Sequence, residues 1–329
     1  MDWTNVLGDA LRALVGSEAV VYTLAAIGLN VHFGYTGLLN FGQAAFMAVA
    51  AYGMATIVTT FGLPFWLGLL VGFAGVVVLA LLLGIPTLRL RADYLAIVTI
   101  AAAEIIRLIF RSVTLRETFG GSSGLSGFSN DFYDLNPYND RVGIPPFEFD
   151  ARNAWVLTVG WALAIIACLV VWALMRSPWG RVIKAIREDE DAVRSLGKNV
   201  YSYKMQSLII GGLLGSLGGF MFALAQAAVQ PDLFSPNITF FAYTVLILGG
   251  AARVLGPVVG AMIFWCLLQL TAGMLSGGVQ TGTIPDWLMD SNDVGAVRFM
   301  LVGIALLLLL VYRPQGILGD RKEIALDAR

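Results

Sequence analysis

The sequence predicts an all-α protein, a polytopic bundle of transmembrane helices that forms a single domain over residues 1–329. Hydrophobic residues make up 58% of the chain and charged residues only 13%, whereas about a quarter of a typical soluble domain is charged. Long apolar segments also recur from one end of the chain to the other. At about 20 residues per span plus connections, roughly eight to ten helices fit into this length, some of them broken by glycine.

The apolar segments number nine, with ends defined to within a few residues. The stretch before the first segment lacks the basic start and compact apolar core of a cleavable signal peptide, so we expect a short amphipathic or loosely ordered lead-in. Cys168 and Cys266 lie inside apolar segments, which favours packing roles over a disulfide or a metal site. The nine segments cover residues 18–34, 38–60, 64–84, 92–113, 154–175, 205–226, 238–252, 254–276 and 296–312.

Basic residues are concentrated in residues 176–204, which hold seven of the 21 Lys and Arg in the chain. By the positive-inside rule, this basic region is expected to face the cytoplasm. Counting spans outward from it places the loops 114–152 and 277–295 outside, where Lys and Arg are sparse or absent. The same count predicts an external N-terminus and a cytoplasmic C-terminus.

The basic region also carries a helical pattern between residues 182 and 197. Apolar residues recur there at spacings near three and four, which gives a surface helix one apolar stripe, and Gly197 is expected to end that helix. An amphipathic helix between two spans suits docking onto a soluble partner, and its apolar stripe is then expected to enter a groove on that partner. The alternative is a solvated loop that only sets topology. The predicted stripe consists of Val182, Ile183, Ile186, Val193 and Leu196.

Glycines interrupt two of the apolar segments, at 34–42 and at 249–260. Unpaired backbone at membrane depth is tolerated only where it is buried in protein or lines a wet cavity. Breaks in both halves of a chain therefore indicate a translocation pathway, although the glycines can also serve close helix packing. Asn40 and Gln43 are the best candidates for exposure to a solute. The predicted pathway residues are Gly37, Asn40, Gly42, Gln43, Gly249 and Gly250.

Glu104 and Arg107 are charged residues within the fourth apolar segment, three positions apart and hence on one helical face. Charges inside a membrane are costly and usually face the bundle interior or water. We expect an intramembrane ion pair that holds this span against its neighbours, with a place in the conduit wall as the alternative. His32, the only histidine, is expected to be a hydrogen-bonded packing residue and not a metal ligand or proton relay.

The loop 114–152 combines a Gly/Ser turn at 120–127 with aromatic residues and prolines. Such a loop forms either a compact surface for a partner protein or a long connector. With fewer than about 40 residues, it is too short for an independent enzyme domain.

The sequence has no Gly-x-Ser-x-Gly nucleophile elbow and no His-Glu-x-x-His motif, because the string Gly-x-Ser-x-Gly occurs only inside the Gly/Ser turn at 120–127. A phosphate-binding loop before Gly197-Lys198 would need glycine at position 192, which is alanine. The chain is therefore expected to be a non-catalytic membrane subunit without a cofactor or metal, and any ATP would be bound by another chain. No pattern indicates binding of nucleic acid.

At this point a family resemblance becomes visible in the basic region. The pattern Asp191-Ala192-Val193-x-x-x-Gly197 is similar to the Glu-Ala-Ala-x-x-x-Gly coupling motif of bacterial ABC importer permeases. The longer run AIREDEDAVRSLG resembles the version found in branched-chain amino acid permeases of the LivM type.

Three further matches to the LivM type follow one another along the chain. They are GYTGLLNFGQAAF at Gly34–Phe46, RLRADYLAIVTIAAAEIIR at Arg89–Arg107 and YRPQGILG at Tyr312–Gly319. With the basic region they span nearly the whole sequence. Two features depart from the family pattern and bear on the substrate: Gln43 stands where many relatives have histidine, and GGSSGLSG replaces the usual turn at 120–127.

The resemblance implies the ABC importer permease fold in a bacterial plasma (inner) membrane. It also implies import of branched-chain amino acids, with urea, short amides or other amino acids as alternatives. The implied partners are a LivH-like second permease subunit, two ATP-binding subunits and an external solute-binding protein. An ion-coupled secondary transporter is the alternative of a different class, although it would normally need a richer relay than Glu104 and His32. The residues implied in coupling to the ATPase are Arg187, Glu188, Asp191, Ala192 and Gly197.

Overall fold

The computed structural model describes residues 3–88, 92–144, 147–281, 293–313 and 315–319. In these ranges the chain is mostly helical and has almost no sheet, which confirms the predicted all-α class. The first half contains α1 (Trp3–Val15), α2 (Ser17–Leu29) continued by a π-helix (Asn30–Tyr35), α3 (Gln43–Thr59), α4 (Phe65–Thr87), α5 (Ala92–Arg111), α6 (Arg116–Phe119) and α7 (Asn130–Asp134).

The second half begins with a long helix that leads into the basic region. Only two short strands, β1 (Leu125–Ser126) and β2 (Ala228–Val229), occur among the described residues, and they pair antiparallel. The remaining helices are α8 (Ala151–Arg176), α9 (Pro178–Glu188), α10 (Glu190–Ser195), α11 (Val200–Gln226), α12 (Pro236–Gly249), α13 (Gly256–Gln280) and α14 (Val294–Tyr312).

Each of the nine apolar segments falls on a helix, and α1 is the lead-in that precedes them. Within the described ranges, five helical stretches are long and apolar enough to cross a membrane, and three apolar helices are shorter. The short helices α3 and α12 adjoin the two glycine breaks. The five long stretches are Trp3–Tyr35, Phe65–Thr87, Ala151–Arg176, Val200–Gln226 and Gly256–Gln280.

Helix α11 packs against α2 and α3 through glycines. A methyl group at Gly28 of α2 would overlap the Gly211 carbonyl oxygen, and one at Gly219 would overlap the Met47 carbonyl oxygen. These backbones therefore touch, as small residues allow in membrane bundles. Close packing also involves glycines of the second break, because methyl groups at Gly249 and Gly260 would overlap the carbonyl oxygens of Gly256 and Val245.

The loop 114–152 is folded onto one end of the bundle. Phe128 and Phe132 are buried, and Trp155 Nε1 on α8 donates to the Phe132 carbonyl oxygen at 2.9 Å. Tyr133 Oη donates to the Leu224 carbonyl oxygen at the end of α11, at 2.8 Å. The described part of the loop is therefore packed against the bundle, and its use as a surface for a partner protein stays a prediction.

Candidate functional site

The first glycine break is a non-helical stretch at residues 37–42, between the π-helix and α3. Gly37 has a φ of 73°, a conformation that favours glycine. The exposed backbone groups find partners in the bundle: Gly42 N donates to Asn40 Oδ1 at 2.8 Å, and Tyr243 Oη on α12 donates to the Asn40 carbonyl oxygen at 3.0 Å. The irregular backbone is thereby satisfied inside the protein, as membrane depth requires.

His32 lies beside this break and is fully buried. Asn40 Nδ2 can only donate, so His32 Nδ1, 3.0 Å away, accepts the hydrogen bond. The proton is then on Nε2, which donates to the Leu208 carbonyl oxygen of α11 at 3.1 Å. Both ring nitrogens therefore have partners, and the predicted role of His32 as a hydrogen-bonded packing residue is confirmed.

The second break lies between α12 and α13. Gly250 and Ala252 have φ values of 110° and 60°, so the chain leaves α12 abruptly. The last carbonyl groups of α12 are satisfied by the C-terminal segment, because Ile317 N donates to Leu248 O at 2.9 Å and Leu318 N donates to Gly249 O at 3.0 Å. The YRPQGILG motif thus caps the end of α12.

The two breaks meet, although more than half of the chain separates them in sequence. Asn30 Nδ2 donates to the Arg253 carbonyl oxygen at 2.8 Å, and Ala252 N donates to Asn30 Oδ1 at 2.9 Å. A Cβ at Gly34 would lie 2.7 Å from Ala252 N. Asn30 was not among the predicted pathway residues. The sequence could have indicated it, because Asn30 is a polar residue in an apolar segment next to a glycine break.

Asn40 and Gln43 are both 0% exposed, so the predicted exposure to a solute is not present in this conformation. The Gln43 side chain points at α11, where a methyl group on Gly215 would overlap its amide nitrogen. Neither Gln43 Nε2 nor Oε1 has a hydrogen-bond partner among the described residues. An unpaired buried amide costs about 1–3 kcal/mol, so this group would gain a partner if α3 and α11 separated.

The basic region forms two helices instead of the single helix predicted over 182–197. Asp189 leaves the helix with φ −154° and ψ 100°, and its Oδ1 accepts from Ala192 N at 2.9 Å. An aspartate N-cap stabilises a new helix start, which the periodicity of the apolar residues could not indicate. Gly197 ends α10 as predicted, with a φ of 77°.

The apolar stripe of the basic region faces the rest of the chain. Ile183, Ile186 and Val193 are buried, and Ile186 and Val193 cluster with Val200 at the start of α11. Leu196 is the exception, with 80% exposure. The expectation that this stripe would enter a groove on a partner is therefore wrong, because amphipathicity reveals a buried face but not which surface covers it.

Helix α9 rests on the beginning of the first break. Arg187 Nη1 donates to the Gly34 carbonyl oxygen at 2.5 Å, and a Cβ at Gly37 would lie 3.3 Å from Arg187 Cγ. Lys184 Nζ lies 5.7 Å from the centroid of the Tyr35 ring. A residue implied in coupling thus touches a residue of the predicted pathway.

Glu104 and Arg107 contact each other through two hydrogen bonds, from Nε to Oε2 at 2.9 Å and from Nη2 to Oε1 at 2.5 Å. Arg107 Nη1 also donates to Asp232 Oδ1 at 2.6 Å, and Arg111 Nη1 lies 3.4 Å from the same oxygen. The Arg107 side chain is 15% exposed and that of Glu104 is 39% exposed. The pair links α5 to the turn before α12 at a partly exposed position.

Comparison with known proteins identifies the family of the chain. The family model described as "Branched-chain amino acid transport system / permease component" matches residues 14–310. The LivM permease of a high-affinity branched-chain amino acid transport system from Salmonella typhimurium LT2 is 30% identical over 92% of this chain and 69% of its own length.

Two further relatives match 92% of this chain and 92% of their own length, each at 25% identity. They are a probable LivM permease of Methanocaldococcus jannaschii and the LivH permease of Escherichia coli K12. The family model covers both glycine breaks and the basic region between them. This chain therefore belongs to the family of permease components of branched-chain amino acid transport systems.

Proposed function

We propose that the chain is one permease subunit of an ATP-driven importer of branched-chain amino acids. Its partners are a LivH-like second permease subunit, two ATP-binding subunits that hydrolyse ATP, and an external solute-binding protein. The chain itself is non-catalytic and spans a bacterial plasma membrane, with its C-terminus in the cytoplasm. Family membership supports the class of protein, and similarity to both LivM and LivH permeases supports a paired assembly.

The hydrogen bond from Arg187 to the Gly34 carbonyl oxygen carries the coupling part of this proposal. It joins the basic region to the point where the first span stops being helical. Asn30, one turn earlier, is bonded to the second break. A displacement of α9 would reach both breaks through these two side chains, which is a route for the rigid-body motion of alternating access.

The surface proposed to contact the ATPase is the exposed part of the basic region. Because the apolar stripe is turned inward, the partner would meet the opposite face of α9 and α10. Ala192 offers a small side chain there, and the turn that Gly197 forms is exposed as well. The exposed residues of this proposed contact are Glu188, Asp191, Ala192 and Gly197. Arg187 on α9 reaches from the same region to Gly34.

The two breaks are proposed as the moving parts of the pathway. Buried side chains at the breaks imply an occluded arrangement in which a solute reaches the polar groups only after α3 and α12 move. The unpaired amide of Gln43 supports its role as a group that meets the solute. The remaining proposed pathway residues are Gly37, Asn40, Gly42, Gly249 and Gly250.

The experiment that tests coupling compares Arg187→Gln with Arg181→Gln, an exposed arginine on the same helix. The assembled importer is reconstituted in vesicles, and leucine uptake and ATP hydrolysis are measured together. A hydrogen bond to a charged group contributes about 1.5–3 kcal/mol, so we expect Arg187→Gln to lower uptake about tenfold while ATP hydrolysis continues. Arg181→Gln should transport like the unaltered protein.

Wild-type uptake by Arg187→Gln would overturn this coupling route. Uptake that requires an ion gradient but no ATP-binding subunits would favour an ion-coupled secondary transporter. Competition of leucine uptake by urea, short amides and other amino acids tests the proposed cargo against its alternatives.

A further inference from the structure

A cluster of four charged side chains joins the end of α5 to the turn before α12. Arg107 Nη1 donates to Asp232 Oδ1 at 2.6 Å, and Glu104 accepts two hydrogen bonds from the same guanidinium. Arg111 Nη1 lies 3.4 Å from the same oxygen of Asp232. The cluster therefore contains two cations and two anions.

This cluster lies at the end of the bundle that is predicted to face outside. Arg111 is the last residue of α5 and precedes the loop 114–152, and Asp232 follows β2, which pairs with β1 of that loop. The side chains of Arg111 and Asp232 are 48% and 60% exposed. Charged groups on membrane helices face the bundle interior or water and not lipid, so we expect this face of α5 to border an aqueous space.

Aromatic rings fix the spacing of the two exposed charges. Phe110, the neighbour of Arg111, stacks on the Tyr52 ring with 4.0 Å between the centroids. Phe234, two residues after Asp232, has its ring centroid 6.4 Å from that of Tyr52, and Tyr52 is buried. The backbone next to both charged residues is therefore held on one packed aromatic cluster, while their side chains extend to the surface.

The two arginine contacts of Asp232 differ in strength. Arg107 lies at the distance of a strong charge-assisted hydrogen bond, and its guanidinium is held in place by Glu104. Arg111 is farther from the carboxylate, and both partners of this second contact are about half exposed, so the contact contributes little to stability. A solute with one cation and one anion can replace it and still leave both side chains paired.

We propose, building on the function proposed above, that Arg111 and Asp232 receive the charged head group of the amino acid. The carboxylate of the solute bonds Arg111, and its ammonium group bonds Asp232, whose position Arg107 fixes. Leu108 is exposed and lies three residues before Arg111, on the same face of α5. It offers an apolar surface to the branched side chain.

This site selects for zwitterionic amino acids over urea and short amides. An amino acid brings an opposite charge to each of the two side chains, whereas urea and amides carry no formal charge. Opposite charges at contact distance attract one another in a way that dipoles do not match. The head-group site therefore separates the proposed cargo from its uncharged alternatives.

The test measures leucine binding to the assembled permease and ATP-binding subunits in detergent by saturation-transfer difference NMR, which detects weak binding. The solute-binding protein is left out, so that selection by the permease is measured. We expect leucine to bind. The analogues 4-methylpentanoate and isopentylamine, which each lack one of the two charges, should bind about tenfold more weakly, and urea should bind no better than they do.

Arg111→Gln and Asp232→Asn should each lower the affinity for leucine about tenfold, whereas Arg111→Lys should retain most of it. Because Arg111 is half exposed, Arg111→Gln should leave the melting temperature of the assembly unchanged, which separates recognition from a structural role. The matched control is Arg116→Gln, which removes an exposed arginine of α6 and should bind leucine like the unaltered protein.

Unchanged leucine affinity in Arg111→Gln would overturn the proposal. So would an equal loss in Arg116→Gln, or the absence of leucine binding to the unaltered assembly. ATP-driven leucine uptake by the complete importer is measured in parallel. Uptake without this binding would contradict the head-group site alone, whereas a complete importer that fails to take up leucine would contradict the function on which the site rests.

Discussion

Individual polar side chains hold the interrupted helices together. Asn30 satisfies one backbone donor and one backbone acceptor of the second break, and Asn40 bonds both His32 and the backbone of its own turn. Buried polar groups in folded proteins nearly always have such partners. The Gln43 side chain is an exception among the described residues, because its amide has no hydrogen-bond partner there. Substitutions at Gln43 and its neighbour Gly215 therefore test how this amide is packed.

Gly215→Ala should destabilise the protein by about 1–3 kcal/mol, because its methyl group would overlap the Gln43 amide. Adding Gln43→Ala should recover part of this loss, since it removes the overlapping group. The control is Gly303→Ala on α14, where a methyl group meets no described atom within 4 Å. Thermal unfolding in detergent measures the stability of the three variants. A double variant that is no more stable than Gly215→Ala would contradict the packing of Gly215 against Gln43.

Arg107→Ala should destabilise the protein more than Glu104→Ala. Arg107 is the less exposed partner and bonds two carboxylates, whereas Glu104 bonds only Arg107 among the described residues. For Glu104→Ala we expect about 1 kcal/mol or less, because solvent screens a carboxylate that is 39% exposed. Thermal unfolding of the two single variants and the double variant tests this order, and equal losses from both single changes would argue against it.

Among the elements, the basic region departs most from its prediction. Asp189 divides it into α9 and α10, and its apolar residues pack on α11 instead of facing outward. Arg194 on α10 bonds Glu190 and Asp191, and Lys204 on α11 contacts Glu190. The contact between Lys204 and Glu190 thus joins α10 to α11, as the coupling proposed above would require.

The substitutions Ala192→Trp and Ile183→Ser test the exposed face and the buried face of the basic region separately. Ala192 is exposed and Ile183 is fully buried. Ala192→Trp should leave thermal stability within about 0.5 kcal/mol yet abolish uptake, because a large side chain would disrupt a close contact with the ATPase. Ile183→Ser should instead destabilise the chain by about 3 kcal/mol or more. Normal uptake by Ala192→Trp in reconstituted vesicles would exclude this surface from coupling.

For the molecule as a whole, the two glycine breaks and the basic region form one connected assembly. Arg187 joins α9 to the first break, and Asn30 joins the first break to the second. The C-terminal turn then closes the end of α12. Elements that are distant in sequence are thereby bonded to one another, and the alternating access proposed above would require them to move together.

The proposed orientation predicts that single cysteines at Ser122 and Ser195 react from opposite sides of the membrane. Both positions are exposed, and Cys168 and Cys266 are first replaced by alanine to provide a cysteine-free background. A membrane-impermeant maleimide added outside intact cells should label the Ser122→Cys protein only, and Ser195→Cys should react after the cells are opened. External labelling of both positions would reverse or refute the orientation.

The sequence by itself determined the helical class, the positions of the apolar helices and the family. These follow from local signals, namely apolar composition, Lys and Arg asymmetry, and motifs such as YRPQGILG, and none of them depends on what a residue touches. The stop at Gly197 belongs to the same group, because the left-handed conformation there favours glycine whatever surrounds it.

Only the tertiary structure showed that Asn30 joins the two breaks. It also showed that Asn40 and Gln43 are buried and that the apolar stripe of α9 faces α11. Asp232, which completes the contacts of Arg107, also lay beyond the reach of a sequence pattern because it is distant along the chain. Periodicity identifies an apolar face and composition identifies a costly charge. Which surface covers that face, and which group pairs with that charge, depends on the packing of helices that are far apart in sequence.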